Sequence, residues 1–441
     1  MGKKLIILAC ILVMGITIQA QDVPNRIQID EETYQLYLRQ DWRILIDKGN
    51  YALELGYDYY YLRMRLAIAW YSLRQYERAR TELLKALSFT PNDPTAMYYL
   101  YYSNLFSGRY GEARILLGEI PVAERTKMKA LREYSVRGVF AEGGVFTNNS
   151  VDELQAGMPT GDFVSSYFIT KMNYANASIG INLGYKSSLT IAGKLYDGQA
   201  LQNVYTSGEL FDFKHTSRQT GVYLGYQYSL PKSWYFGASL HNISGVYSVT
   251  SYQSNPSGQY NFTDANEIYK QSFVGGYLGK HFTNMDVNFH FSQNNFWQGV
   301  YYQAGTSLVY YPFGSLDYYV NVTYDRMNPS DSSNTEEAWK LLAGAKLFKG
   351  FYIEGSHLFG NLSNWADAGG YYLFNTVHPI RSRTGISLVI SGLIPQLQIS
   401  LSGYLQQRDH YADVYLPDGS IDPVLLNFKS TSIFGGITWN F

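Results

Sequence analysis

Two hydrophobic periods follow one another along this chain. From residue 21 to residue 134, aromatic, leucine and alanine positions return every 34 residues: Trp42, Tyr76 and Tyr110 hold one register, and Leu45, Ala79 and Ala113 another. Leu66 and Leu100, Leu83 and Leu117, and Ala52 and Ala86 add three more. A repeat of that length predicts stacked helix pairs, because each pair buries its apolar face only against its neighbours. From residue 135 the period falls to two. Leu397, Ile399, Leu401 and Leu405 alternate with Gln398, Ser400, Ser402 and Gln406, and Ala177, Ile179, Ile181 and Leu183 with Asn176, Ser178, Gly180 and Asn182. Val287, Phe289 and Phe291 oppose Asp286, Asn288, His290 and Ser292, and Ile386, Leu388 and Ile390 oppose Ser387 and Ser391. One apolar face and one face of small polar residues is the pattern of a strand with hydrocarbon on one side and water on the other.

The connections alternate as well. Short turns at Lys186-Ser187, Pro231-Lys232, Thr283-Asn284, Phe313-Gly314-Ser315, Lys349-Gly350 and Gly392 to Pro395 interleave with longer segments near 147–165, 199–214, 250–267, 296–300, 328–336, 362–380 and 409–428. One tight rim and one elaborate rim predict an antiparallel transmembrane β-barrel of about 14 strands, with short periplasmic turns, long external loops and both barrel termini on the periplasmic side. Trp234, Tyr185, Trp339, Phe348, Phe351, Tyr310 and Tyr311 fall near predicted strand ends, where interfacial aromatic girdles form. The chain closes on Ile433, Ile437, Trp439 and Phe441, an ending that resembles the C-terminal strand signature of bacterial outer-membrane proteins. That resemblance implies recognition by the barrel assembly machinery; a soluble β-sandwich, the alternative, has no need of it.

Composition sharpens the division. Residues 21–134 carry 16 basic and 15 acidic residues, whereas residues 135–441 carry 17 and 21 in a far longer stretch, together with all seven histidines. A net charge of -1 speaks against nucleic acid, and 16% charged residues with a mean hydropathy of -0.20 fits neither a soluble chain nor a helical membrane protein. Met1, Lys3 and Lys4 precede an apolar run from Leu5 to Ile18 and a small residue at Ala20, so residues 1–20 read as a signal peptide. The single cysteine, Cys10, lies inside it, leaving residues 21–134 and 135–441 without a thiol.

The block Leu66-Ala67, Trp70, Tyr76, Ala79, Leu83, Ala86 and Pro91 resembles the tetratricopeptide pattern, and about two and a half units are present. The resemblance implies a concave groove lined by Tyr61, Met64, Ile68 and Tyr71 from one unit and Thr95, Tyr98, Tyr102 and Leu105 from the next, open to a protein or peptide partner. The competing occupant is a helix of the chain's own, over Glu124 to Tyr134.

Candidate chemistry is sparse. His-Glu-x-x-His, Gly-x-Ser-x-Gly and phosphate-binding glycine loops are missing, so no catalytic residue, cofactor or metal is expected. His290 with Ser292, and Ser239 with His241, share predicted inner faces but lack a third orienting group. The external segments hold 14 acidic residues against one basic residue, Lys214, while Lys186, Lys232 and Lys349 sit at short turns. Asp409, Asp413, Asp418 and Asp422 match no established calcium spacing and read as a solvated acidic loop. The inferred lumen carries Lys194, Lys340 and Lys346 with Asp286, His290, Asp325 and Glu354, which suits either a narrow polar channel or a closed salt-bridge network.

As architecture, the whole chain resembles YaiO-like outer-membrane proteins and, more distantly, exopolysaccharide export porins, in which periplasmic repeats precede a barrel. The expectation is a non-enzymatic barrel in outer-membrane lipid whose periplasmic repeat domain docks a protein partner, in envelope transport, export or assembly. The alternatives are a barrel enzyme acting on lipid and a structural anchor presenting acidic loops.

Overall fold

A computed structural model describes residues 25–127, 135–254, 260–296, 299–330, 335–375 and 378–441. The predicted signal peptide and most of the proposed groove-filling helix, residues 128–134, lie outside them.

Six helices come first: α1 (Arg26–Leu38), α2 (Trp42–Glu54), α3 (Tyr60–Ser72), α4 (Tyr76–Phe89), α5 (Pro94–Phe106) and α6 (Tyr110–Glu119), followed by a short α7 (Val122–Lys127). Their starts at 26, 60 and 94, and at 42, 76 and 110, reproduce the 34-residue period. Local chemistry sets the ends. Asn25 and Gln28 form a reciprocal capping box on α1, and Asp93 caps α5 with Pro94 in its first turn. The turn inside each pair needs a left-handed residue, supplied at equivalent positions by Gln40 (φ 61), Arg74 (φ 63) and Gly108 (φ 81). Small residues let the pairs approach: Ala52 and Ala69 are buried in one cluster beside Leu66, and Ala67, Ala79 and Ala86 in the next beside Leu83 and Leu117.

The remaining chain forms a closed antiparallel barrel of fourteen strands. These are β1 (Val136–Asn148), β2 (Phe163–Asn182), β3 (Ser187–Thr206), β4 (Glu209–Ser229), β5 (Trp234–Ser254), β6 (Tyr260–His281), β7 (Met285–Phe296), β8 (Gly299–Tyr310), β9 (Tyr318–Pro329), β10 (Glu336–Phe348), β11 (Phe351–Gly360), β14 (Ile380–Ser391), β15 (Leu397–Tyr415) and β16 (Ile421–Asn440). β1 closes on β16, from Gly138 opposite Asn440 to Asn148 opposite Ser430, so no edge is left for lipid to meet. The alternation sorts as the pattern requires: Phe289, Phe291, Ile386, Leu401 and Leu405 are exposed outward, while Asn176, Ser292 and Gln406 are buried inward. No helix among the described residues is long and apolar enough to cross a membrane.

The wall is uneven. β7 to β11 and β14 have 10 to 13 residues, close to the roughly 9–11 that a tilted strand needs to cross hydrocarbon. β2 to β6, β15 and β16 run to 19–22 residues and stand well beyond it. Three segments expected to be long loops are therefore mostly strand: the 199–214 connection shrinks to Ser207-Gly208, the 250–267 segment continues β5 to Ser254 and β6 from Tyr260, and the 409–428 segment continues β15 and β16 to a tip at 416–420. The segment 362–380 departs further, because it is no external loop. It carries a small hairpin, β12 (Asn364–Asp367) and β13 (Tyr372–Asn375), that folds into the barrel.

Candidate functional site: a lumen crossed by a hairpin

The hairpin enters the lumen because it carries Trp365, Tyr371, Tyr372 and Phe374, more aromatic surface than an external loop would leave in water. Trp365 is 1% exposed; it packs with Leu362, Met327, Ala338, Leu358 and Ile380 and stacks on Phe374. Its indole Nε1 donates to Asp325 Oδ2 at 2.8 Å. Asp325, itself 1% exposed, also accepts from Gln303 Nε2 at 2.9 Å and His290 Nε2 at 2.5 Å. Gln303 completes the tie by exchanging two hydrogen bonds with the Ala366 backbone, at 2.9 and 3.0 Å.

The opposite wall holds the tip. Ser239 Oγ donates to the Gly369 carbonyl at 2.6 Å and His241 Nδ1 to the Gly370 carbonyl at 2.8 Å. Lys194, 2% exposed, donates to the Tyr371 carbonyl and lies 3.9 Å from the Tyr371 ring centre. Asn176 Nδ2 donates to the Tyr371 hydroxyl at 2.8 Å, and Lys340 pairs with Asp367 at 2.7 Å. The hairpin is thus tied to β2, β3 and β5 on one side and to β8, β9 and β10 on the other. Its tip turns through Ala368, Gly369 and Gly370, all at positive φ, which lets backbone carbonyls rather than side chains face the wall.

Each of the predicted lumen residues has a partner. Lys194, Lys340, His290 and Asp325 hold the hairpin or its supports. Nearer the short-turn rim, Asp286 accepts from Tyr235 at 2.9 Å and pairs with His281, Glu354 accepts from Tyr319 at 2.6 Å, and Lys346 lies 3.4 Å from Asp317. Asp367, counted above with the acidic outer rim, belongs to the lumen. Gln303, Trp365 and Tyr371 were not singled out in the sequence; the cluster of aromatics between residues 365 and 374 was the available signal.

A second closure lies at the mouth opposite the short turns. The extended β15–β16 hairpin leans over so that Asp413, Val414 and Tyr415 pair with Ser165, Val164 and Phe163 of β2. The Tyr252 and Tyr415 hydroxyls meet at 2.5 Å, and the Phe163 ring lies 4.4 Å from those of Tyr252 and Tyr260. The four candidate calcium carboxylates do not converge: Asp409 pairs with Arg381, and Asp418 accepts from Ser420 within its own turn.

At the other mouth the helices sit on four of the short turns. Arg109, 2% exposed, is held by Glu77 and Glu112 and donates to the Phe282 carbonyl. Leu316 N donates to the Phe106 carbonyl at 3.2 Å, Arg114 to Asn182 at 2.6 Å and Arg125 to the Tyr185 hydroxyl at 2.6 Å. Of the predicted groove residues, Met64 is 6% exposed and belongs to the helical core, a correction that follows from its packing with Leu83 and Leu100. Ile68, Tyr71 and Tyr98 are half-buried against the same core, and Leu105 is half-buried. Tyr61, 64% exposed, and Thr95 face solvent, and Tyr102 contacts Tyr98 and Phe106, with ring centres 4.9 and 5.9 Å away.

The serine–histidine pairs noted in the sequence are occupied otherwise, since Ser239 and His241 donate to the hairpin and His290 binds Asp325. Ser166 Oγ and His410 Nε2 do meet at 2.6 Å, but the other side of His410 faces His378 rather than a carboxylate. Both imidazoles are buried against Phe168 and Phe428. Among the described residues no three His, Cys, Asp or Glu side chains are placed to hold a metal ion.

No family model matches the chain. No curated protein matches it either. Among solved structures, a Pseudomonas aeruginosa FadL homologue is similar at 7% identity and a TM-score of 0.47, with 69% of this chain and 90% of that one covered. The toluene transporter TodX of P. putida is similar at 10% identity and 0.42, with the same coverage, and a bacterial polysaccharide outer membrane secretin at 10% identity and 0.34, covering 70% and 100%. These are proteins with which the barrel shares a general shape, at identities too low to carry an activity.

Proposed function

We propose that this chain is a non-enzymatic transport barrel of the bacterial outer membrane, closed at rest by the hairpin of residues 364–375 and opened by its withdrawal. The observation that carries this reading is the way closure is built. A barrel meant only as an anchor fills its lumen with wall side chains, whereas here a separate segment crosses it, held by hydrogen bonds and one ion pair that can be exchanged for water. The helices, on the side of the short turns, form a tetratricopeptide-like periplasmic domain whose aromatic face around Tyr61, Tyr98 and Tyr102 receives a protein partner.

Planar-bilayer recordings of the full chain test it. The parent protein is expected to open rarely. Replacing residues 364–375 by a short Gly-Ser linker is expected to give steady openings, and Asp325→Ala brief ones, because Trp365, Gln303 and His290 lose their shared acceptor. Silence of the linker variant, with heat-modifiable migration showing a folded barrel, would move the reading to a structural anchor.

A further inference from the structure

A further cavity lies at the rim of the barrel, apart from the hairpin and from the aromatic helix face. It is a cleft of about 590 Å³ where the α3–α4 turn meets the short-turn rim, lined by Arg74, Asp317, Tyr318, Lys346, Leu347, Phe348 and Lys349. Three cations face one carboxylate. Asp317 is shared between Arg74 at 3.0 Å and Lys346 at 3.4 Å, which leaves the cleft with an excess of positive charge at Lys349. Its other wall is apolar and open: Phe348 is 60% exposed, Leu347 56% and Tyr318 44%. Phe348 stacks on Phe351 with ring centres 4.6 Å apart, and Phe313 meets Tyr318 edge-on at 5.5 Å, so the cleft opens onto the aromatic girdle of the short-turn side.

We infer that this cleft binds the phosphate of an anionic phospholipid from the leaflet facing the helices, with its acyl chains lying along Leu347, Phe348 and Tyr318. The chemistry is asymmetric in the way such a ligand is asymmetric. Guanidinium and ammonium groups suit phosphate oxygens, and the exposed aromatic and aliphatic side chains continue outward at the depth where hydrocarbon begins. A soluble phosphate would use the cations and leave the apolar wall idle. From the helical segment, Arg74 Nη2 donates to Asp317 of the rim. Lipid bound here would touch the helical segment and the barrel together and brace one against the other. The inference rests on the membrane-spanning reading of the barrel but not on an open or gated lumen.

Native mass spectrometry of the full chain, released from micelles containing equal amounts of phosphatidylglycerol and phosphatidylcholine, tests it. One phosphatidylglycerol is expected to be retained in preference to phosphatidylcholine. Arg74→Gln combined with Lys349→Gln should reduce that retention about twenty-five-fold, since each cation near a lipid surface is worth roughly a fivefold change in affinity and two are removed. Lys186→Gln, at another short turn, controls for general surface charge and should leave retention unchanged. Equal retention of both lipids by the parent, or undiminished retention by a double variant whose heat-modifiable migration shows it folded, would overturn the assignment. Complete displacement of the lipid by millimolar inorganic phosphate would overturn it in favour of a phosphate site. Conductance plays no part in the readout, so failure here and failure of the transport reading are separate results.

Discussion

At five places on the inner wall a glycine lies under a tyrosine ring from the strand beside it: Gly237 under Tyr277, Gly279 under Tyr235, Gly245 under Tyr269, Gly344 under Tyr319 and Gly385 under Tyr404. In each case a Cβ on the glycine would come within 2.2 Å of the ring. The glycines let large rings lie flat along the wall instead of projecting into the lumen, and the rings cover backbone that would otherwise be bare. The space across the barrel is thereby left for the hairpin. Gly237→Val should force Tyr277 off the wall and destabilise the barrel by about 1–3 kcal/mol, the usual range for overpacking. The loss should show as a lower urea midpoint for the folded band on unheated gels, and Tyr277→Ala in the same protein should recover part of it. Period-two alternation made the inward direction of these residues legible. Their pairing was not, because it depends on register between strands, which turn length fixes and composition does not.

Elements were legible where a period runs long enough. The 34-residue repeat anticipates the helix starts, and the alternation of turn lengths anticipates fourteen strands. The inward hairpin was missed for a physical reason: four-residue strands carry no readable period, and glycine, asparagine and aspartate mark a turn equally well in water or in a lumen. Within the helices, arginine–carboxylate pairs hold neighbouring elements together, and these set a pH dependence. Arg63 hydrogen bonds hold the Asp58 carboxyl below its ordinary 3.8. Burial pushes Glu112 up from 4.5, but Arg80 and Arg109 outweigh it and the result is lower. Asp30 follows the same course, with burial raising it and Arg65 and Tyr59 carrying it below 3.8. Groups depressed in the folded state contribute stability that is fully present above their unfolded values and lost as pH falls through the folded ones. Helical circular dichroism at 222 nm should therefore hold from neutral pH to about 5 and decline below about 4, ahead of any loss of the barrel's heat-modifiable migration. A helical signal unchanged to pH 3 would remove these pairs as determinants of the segment's stability.

Across the whole molecule, both mouths and the middle of the barrel are covered by different parts of one chain, and the helical cover meets the rim through Arg109, Arg114, Arg125 and Phe106. Arg109 lies beside Gly108, whose missing side chain admits Leu316 of the rim, and close to Gly111, where a Cβ would meet Ser229. Those glycines bring the α5–α6 turn down onto the barrel, and the guanidinium then spends its donors on Glu77, Glu112 and the Phe282 carbonyl. None of this was legible in the sequence, since a basic residue at a helix turn ordinarily points to solvent. Removing one partner of a buried ion pair typically costs about 3–5 kcal/mol, because the charge left behind has lost its counter-ion. Arg109→Ala strands Glu77, 3% exposed, against the rim, so the cost should fall on the contact between helices and barrel. Limited proteolysis in mild detergent is expected to release the helical segment from Arg109→Ala far faster than from the parent, while unheated gel migration of the barrel stays the same. If instead both parts fail together, the helices are integral to barrel folding and not a separable cover. If neither changes, the attachment is distributed over Arg114, Arg125 and Leu316, and Arg109 only organises its own helices.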